Sequence, residues 1–114
     1  MVVDSLSTTL SAFSDPIRRS ILSRLAVGPA TVGQLADPFR ISQQAVSKHL
    51  AYLERAGLVR KRRRGRTYIC SLRPAPFKEV SDSVEPYRAF WEQALKRLDR
   101  YLRAEAEKEK RPDK

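Results

Sequence analysis

The stretch Arg60-Lys61-Arg62-Arg63-Arg64-Gly65-Arg66 gathers six basic side chains around one glycine, and Thr67-Tyr68-Ile69-Cys70-Ser71-Leu72 follows at once. Charge this dense cannot enter a core, because each buried ion would lose several kcal/mol of hydration. A disordered tail would not end in a strand-forming segment. The spacing therefore predicts two strands, Val59 to Arg63 and Thr67 to Leu72, with Arg64-Gly65-Arg66 as the turn. Gly65 supplies the positive φ that a tight hairpin needs. Such a tip repels itself unless a polyanion neutralises it.

The rest of the charge distribution points the same way. The formal net charge is +10, and residues 40–73 hold ten of the 23 Lys and Arg side chains against Glu54 alone. A charge that served only solubility would be spread; this one forms a surface for a polyanion. A solvated basic face is the plainer alternative. With 114 residues the chain fits one domain, at most with an extension. No apolar run nears the ~20 residues of a membrane helix. Met1 to Phe13 lacks both the basic start and the apolar stretch of a secretory signal. The single cysteine, Cys70, cannot form an internal disulfide. A reducing cytoplasm is the expected location.

Upstream of the basic segment, the chain reads as a series of short helices. Leu6, Leu10 and Phe13 recur at helical spacing from about Asp4. Asp15 is a good N-cap with Pro16 at the first helical position, and Ile17, Ile21, Leu22 and Leu25 form an apolar stripe closed by Gly28-Pro29. Thr31 and Gln34 are spaced as a capping box, opening a short helix that Pro38 stops. Ser42 caps the next helix, Gln43 to Ala56, and Gly57 terminates it. A short helix, a tight turn and a longer capped helix have the proportions of a helix-turn-helix.

At 100° per residue the longer helix separates into faces. Val46, Leu50 and Leu53 make the buried stripe. Gln44, Lys48, Ala51 and Arg55 lie opposite, with Gln43 and Ser47 on the flank. Gln can bridge adenine, Lys reaches guanine acceptors or phosphate, and Ser is permissive. Those types sit where recognition helices touch bases, although any solvent face can show them. Followed by a basic hairpin, the combination reads as a helix-turn-helix with a wing. The wing supplies phosphate contacts that hold without reading sequence.

These segments resemble the ArsR-type family of winged helix-turn-helix repressors. Asp15-Pro16-Ile17-Arg18-Arg19-Ser20-Ile21-Leu22 is similar to the family's second-helix opening. Ser42 to Leu50 and Glu54 to Val59 resemble its recognition helix and wing entry, and Arg63-Arg64-Gly65-Arg66 its wing tip. The resemblance spans residues 5–105 and implies a dimeric, sequence-specific DNA-binding repressor. Within the family the chain looks most like a branch with an aromatic-rich last helix and without the metal-ligand motifs. Metal-sensing members carry cysteines before the turn, or Asp, His and Glu sets on the last helix. Thr31 to Phe39 has neither Cys nor His, and His49 is the only histidine. One imidazole and one thiol cannot complete a four-ligand zinc site. No metal site and no cofactor is therefore expected, with a shared interface site through Asp82, Glu85 and Glu92 as the alternative.

His49 and Cys70 each allow two readings. His49 flanks the buried stripe, for packing or a phosphate contact; a pH switch is the alternative. Cys70 reads as a small half-buried side chain; a redox thiol made acidic by the basic wing is the alternative.

The last third reads as an assembly device. Pro74-Ala75-Pro76 suggests a break, Phe77 to Val84 a short helix, and Pro86 the start or kink of another. Tyr87, Phe90, Trp91, Ala94, Leu95, Leu98, Tyr101 and Leu102 then recur at three- and four-residue spacing. That stripe is too long for a small core alone, so it predicts packing on the first helix and on a second subunit. Beyond about Ala104 the chain is Glu/Lys-rich and ends Arg-Pro-Asp-Lys, read as a frayed tail.

The expected fold class is mainly α with a small β-hairpin, a winged helix-turn-helix that is dimeric through its N- and C-terminal helices. The winged domain covers 1–105, with the recognition helix about 43–56, the wing about 59–72, the dimerisation helix about 86–105 and a charged tail at 106–114. The expected DNA-contacting set is Thr31, Ser42, Gln43, Gln44, Ser47, Lys48, His49, Arg55, Arg62, Arg63, Arg64, Arg66 and Tyr68. The expected dimer contacts are Leu6, Leu10, Phe13 and the aromatic stripe. The function that follows is a homodimeric repressor on a palindromic double-stranded operator. The other classes are a nonspecific architectural or RNA-binding protein, which would not prefer promoter DNA over random DNA, and an enzyme, for which no catalytic set is present. No membrane partner is expected, and no residue pattern identifies an effector ligand or protein partner.

Overall fold

In the computed structural model, residues 4–110 are described. They form, in order, α1 (Ser5–Ala12), α2 (Pro16–Val27), β1 (Ala30–Thr31), α3 (Val32–Ala36), α4 (Gln43–Arg55), β2 (Val59–Arg64), β3 (Thr67–Leu72) and α5 (Pro74–Lys110). Met1–Val80 and Ser81–Lys114 make two compact units. The Arg-Pro-Asp-Lys end expected to fray lies outside the described residues.

Side-chain caps set the helix starts, because the first N–H groups of a helix have no partner within it. Asp4 accepts from the Ser7 N–H, Asp15 from Arg18 and Ser42 from Ala45. Thr31 and Gln34 form the reciprocal capping box, with distances of 2.9 and 3.2 Å. Pro16 occupies the first turn of α2, where its missing N–H is no loss. Gly57 ends α4 with φ +82°, a conformation that costs other residues a steric clash.

The core of the first unit lies between α2, α3, α4 and the sheet. Val46, Leu50 and Leu53 of α4 are buried as their spacing predicts, together with Ile21, Leu22, Leu25, Leu35, Leu58 and Val59. Each such side chain gains about 1.5–3 kcal/mol on leaving water. On α1 the inward positions are Thr9 and Ala12 rather than Leu6 and Leu10. The buried Thr9 hydroxyl is satisfied by donating to the Ser5 carbonyl at 3.0 Å. Leu10 is left 48% exposed.

The sheet has three strands in the order β1-β3-β2, all neighbours antiparallel. The hairpin is the predicted one, except that β2 extends through Arg64, which pairs with Thr67. The connection is thus Gly65-Arg66, with Gly65 at φ +62° and no positive φ at Arg66, the pattern of a two-residue turn with glycine first. β1 is an element the sequence pattern did not suggest. It adds Ala30 and Thr31 to the edge of β3, opposite Cys70 and Ile69.

The expected breaks near Pro74 and Pro86 are corrected. One helix runs from Pro74 to Lys110 with Pro86 inside it. Pro74 and Pro76 fall in its first turn, where N–H groups lack helical partners anyway. Pro86 removes one backbone bond, which the remaining turns tolerate. The helix also continues past Ala104, through residues first assigned to the frayed tail. In the first unit its start is anchored by Phe77, edge-on to Phe13 at 6.2 Å, and by Ser5 Oγ donating to Glu79 at 3.0 Å.

In the second unit, none of the described side chains is fully buried. Tyr87, Phe90, Trp91, Leu95, Leu98, Tyr101 and Leu102 are all exposed, and Ala94 half-buried. Arg88 pairs with Glu85 at 2.7 Å, and Arg103 with Asp99 at 3.1 Å. Such exposed one-turn pairs support the helix only weakly.

Candidate nucleic-acid interface

The N-terminal half of α4 and the tip of the wing line one groove of about 390 Å³. Thr31 and Gly33 contribute from α3 and its cap, Gln43 and Ser47 from α4, and Arg66, Thr67 and Tyr68 from the hairpin. No acidic residue lines it. Five of the expected DNA-contacting residues, Thr31, Gln43, Ser47, Arg66 and Tyr68, therefore meet although up to 37 positions separate them in the chain.

The other expected contacts take different places. Gln44, Lys48 and Arg55 are exposed on α4 outside the groove lining, with Arg55 in its last turn. Ser42 and Thr31 spend a lone pair each on capping, their hydroxyls accepting backbone N–H groups at 3.1 and 3.2 Å. His49 is half-buried and turned to α2, its Nδ1 3.9 Å from Asp15 Oδ2. The Asp15 carboxyl is held below the usual range, first by the Arg18 backbone N–H and then by the charges of His49 and Arg18.

Strand alternation divides the arginines of the wing. Val59, Lys61 and Arg63 share a face with their partners Leu72, Cys70 and Tyr68, while Arg60, Arg62 and Arg64 share the other. The Lys61 ammonium lies 5.8 Å from the centre of the Tyr68 ring. Arg63 donates to the Gly65 carbonyl at 3.2 Å, and the Thr67 hydroxyl to the Arg64 carbonyl at 3.1 Å, so the turn is braced from both arms. Arg60, Arg62 and Arg64, joined by Arg63, line a cleft together with Pro29, Ile69 and Ser71. Arg60 and Thr67 belong with the wing set and were not singled out. The period-two spacing of Arg60, Arg62 and Arg64 is the signal that would have found the first of them.

Cys70 is fully buried, where a half-buried position was expected. Burial pushes its thiol up, and the opposing charge of Lys61 is the smaller effect. A basic wing that acidifies this thiol is thus corrected: the strand turns the sulfur into the core. Among the described residues, no three His, Cys, Asp or Glu side chains group as metal ligands would, and no helix is long and apolar enough to cross a membrane.

A helix-turn-helix domain model matches residues 13–62. The HTH-type transcriptional regulator Rv2034 of Mycobacterium tuberculosis is 38% identical over 84 residues, covering 74% of this chain and 76% of that protein. The transcriptional repressor SdpR of Bacillus subtilis is 37% identical, over 59% of this chain and 74% of its own. A solved ArsR family transcriptional regulator superposes with TM-score 0.69 at 36% identity, covering 78% of this chain and 98% of that one. The chain belongs to the ArsR family of winged helix-turn-helix transcriptional regulators. An ArsR-like regulator from Rhodococcus sp. RHA1 gives TM-score 0.63 at 28% identity, covering 85% and 92%. As an ArsR-family regulator the protein binds DNA, and α3–α4 and the β2–β3 hairpin are its helix-turn-helix and wing. The relatives are transcriptional regulators rather than enzymes.

Proposed function

We propose that this ArsR-family regulator is a cytoplasmic homodimeric repressor that reads a palindromic operator without a metal or cofactor and catalyses no reaction. The observation that carries this is the single groove shared by the N-terminal half of α4 and the wing tip, with no acid in its lining. In that arrangement Gln43, Gln44, Ser47 and Lys48 enter the major groove. Arg62, Arg63, Arg64 and Arg66 bind phosphate or reach the minor groove. Thr31, Ser42, Tyr68, His49 and Arg55 support the frame, the last two from the edges of α4.

Helix α5 leaves a surface open for the second subunit. Its aromatic and leucine side chains occupy one helical stripe and remain exposed, from 42% at Leu95 to 71% at Tyr87. Apolar stripes of this length on a charged helix are covered by a partner surface. In the first unit, Leu6 and Leu10 of α1 and its C-cap Phe13 are further proposed dimer contacts, with Phe13 also held by Phe77. A two-fold dimer presents two copies of α4, so half-site centres fall roughly 34 Å apart or at a multiple of it. Bound at a promoter, such a dimer excludes polymerase.

The test is selection of duplexes from a random-sequence pool, followed by footprinting of the enriched sequence. The expected result is an imperfect palindrome bound about 10³-fold or more tighter than scrambled DNA. Equal affinity for both would instead make the protein a nonspecific binder.

A further inference from the structure

We infer that Arg18 is a positioning residue that fixes the angle at which the recognition helix meets DNA, by clamping Tyr52 of α4 to the end of α1. The guanidinium carbon lies 4.2 Å from the centre of the Tyr52 ring. Its Nε donates to the Ala12 carbonyl at 3.1 Å, and a terminal nitrogen donates to the Ser11 carbonyl at 3.3 Å. The Tyr52 hydroxyl and Ser11 Oγ share a further hydrogen bond of 3.3 Å. One planar group on α2 thus joins α1 and α4. At that helix end it partners the Ala12 carbonyl, while the Ser11 carbonyl also accepts the Ser14 N–H and hydroxyl at 3.1 and 2.7 Å.

The same capping turn places the second contact on this flank. Asp15 Oδ2 accepts the Arg18 N–H at 2.9 Å and faces His49 at 3.9 Å. His49 and Tyr52 are three residues apart, so they lie on one side of α4. The core stripe Val46, Leu50 and Leu53 presses α4 against the domain, and apolar packing is non-directional. Directional contacts on this flank come from Arg18 and from the Ser11 hydroxyl, both onto Tyr52.

Small tilts matter for one kind of DNA contact and not the other. Gln44 is eight residues from Tyr52, about 12 Å along the helix. A tilt of about 10° about the clamp moves it by ~2 Å, enough to break a base-edge hydrogen bond. Phosphate attraction from the wing is long-ranged and tolerates such a shift. Arginine is required because its planar fork stacks and donates twice at once, which a lysine ammonium cannot reproduce. The inference rests on α4 being the helix that reads bases.

The experiment compares wild type, Arg18→Lys, Tyr52→Leu, Tyr52→Phe and Gln44→Ala on two duplexes. One is enriched from a random pool by the wild-type protein, and the other is its scrambled counterpart. Measurements are made well below each melting temperature, where circular dichroism shows a folded chain. Arg18→Lys and Tyr52→Leu are each expected to weaken the enriched duplex roughly tenfold or more, and the scrambled one less than about twofold. Tyr52→Phe keeps the stacked ring and is expected to retain most of the selectivity. Equal losses on both duplexes, or none on either, would overturn the inference, and Tyr52→Leu alone decides it if Arg18→Lys does not fold. A Gln44→Ala protein that keeps full selectivity would show instead that α4 does not read bases there, and the clamp would fall with that reading.

Discussion

Ala30 is paired with Cys70, so the two residues that lead into the helix-turn-helix are bonded to the strand that carries the wing. Both side chains are buried, at 2% and 0% exposure. The strand that enters the helix-turn-helix and the hairpin therefore share one sheet and one core. Cys70→Ser places a hydroxyl in that core and is expected to destabilise the fold by about 1–3 kcal/mol, seen as a lower denaturant midpoint. Peroxide should leave DNA affinity of the wild type unchanged, because the thiol is enclosed and pushed away from the reactive thiolate.

The acid limb of stability should contain a contribution from Asp15. Its folded pKa lies below the ordinary carboxyl value of 3.8, so the carboxylate binds protons less readily in the native chain than in the unfolded one. The stabilisation is fully present above pH ~3.8 and is lost as pH falls through the lower folded value. Asp15→Asn keeps a capping side chain and should shift the midpoint little at pH 7 while flattening the loss in acid. Thermal melts from pH 2 to 7 check this.

Helix α4 is started by Ser42 and stopped by Gly57. Ser42→Ala removes the acceptor for the Ala45 N–H and is expected to cost about 0.5–2 kcal/mol. Gly57→Ala forces a Cβ into φ +82°, at about 1–2 kcal/mol. Gly65→Ala meets the same penalty at the wing turn. Its effect should fall on DNA affinity more than on the melting temperature, because the turn aims Arg66 and Arg63.

Much of this site is legible in the sequence wherever the determinants are local. Asp15-Pro16, Thr31 with Gln34, Ser42 and Gly57 mark helix ends by contacts within four residues, and each appears as predicted. Val46, Leu50 and Leu53 show their burial by spacing alone. What escaped depends on distant partners. β1 is two residues long, too short for any alternation, and exists because Cys70 and Ile69 sit opposite it. Phe13 is claimed by Phe77. Proline is a breaker on average, yet Pro74 and Pro76 stand where a helix needs no N–H, so α5 is continuous.

The stripe on α5 gives a prediction about assembly. Trp91→Glu with Leu98→Glu puts two charges on side chains now 60% and 51% exposed, and should leave the helix folded while converting dimer to monomer in sedimentation. Affinity for a single half-site should persist, and affinity for the full palindrome should drop by the lost effective concentration, on the order of 10²-fold or more. A variant that stays dimeric would remove α5 from the interface.

The division of labour between helix and wing is tested most directly by salt dependence. Affinity for enriched and scrambled duplexes is measured from 50 to 200 mM salt for wild type, Gln44→Ala and the triple Arg62→Ala, Arg63→Ala, Arg64→Ala variant. With roughly six to ten phosphate contacts, wild-type affinity should fall about 10³- to 10⁵-fold across that range. The triple variant should weaken both duplexes alike and reduce the slope by about 2–3. Gln44→Ala should lower preference for the enriched duplex with the slope unchanged. If the two changes act alike on slope and selectivity, helix and wing do not divide the work of reading and anchoring.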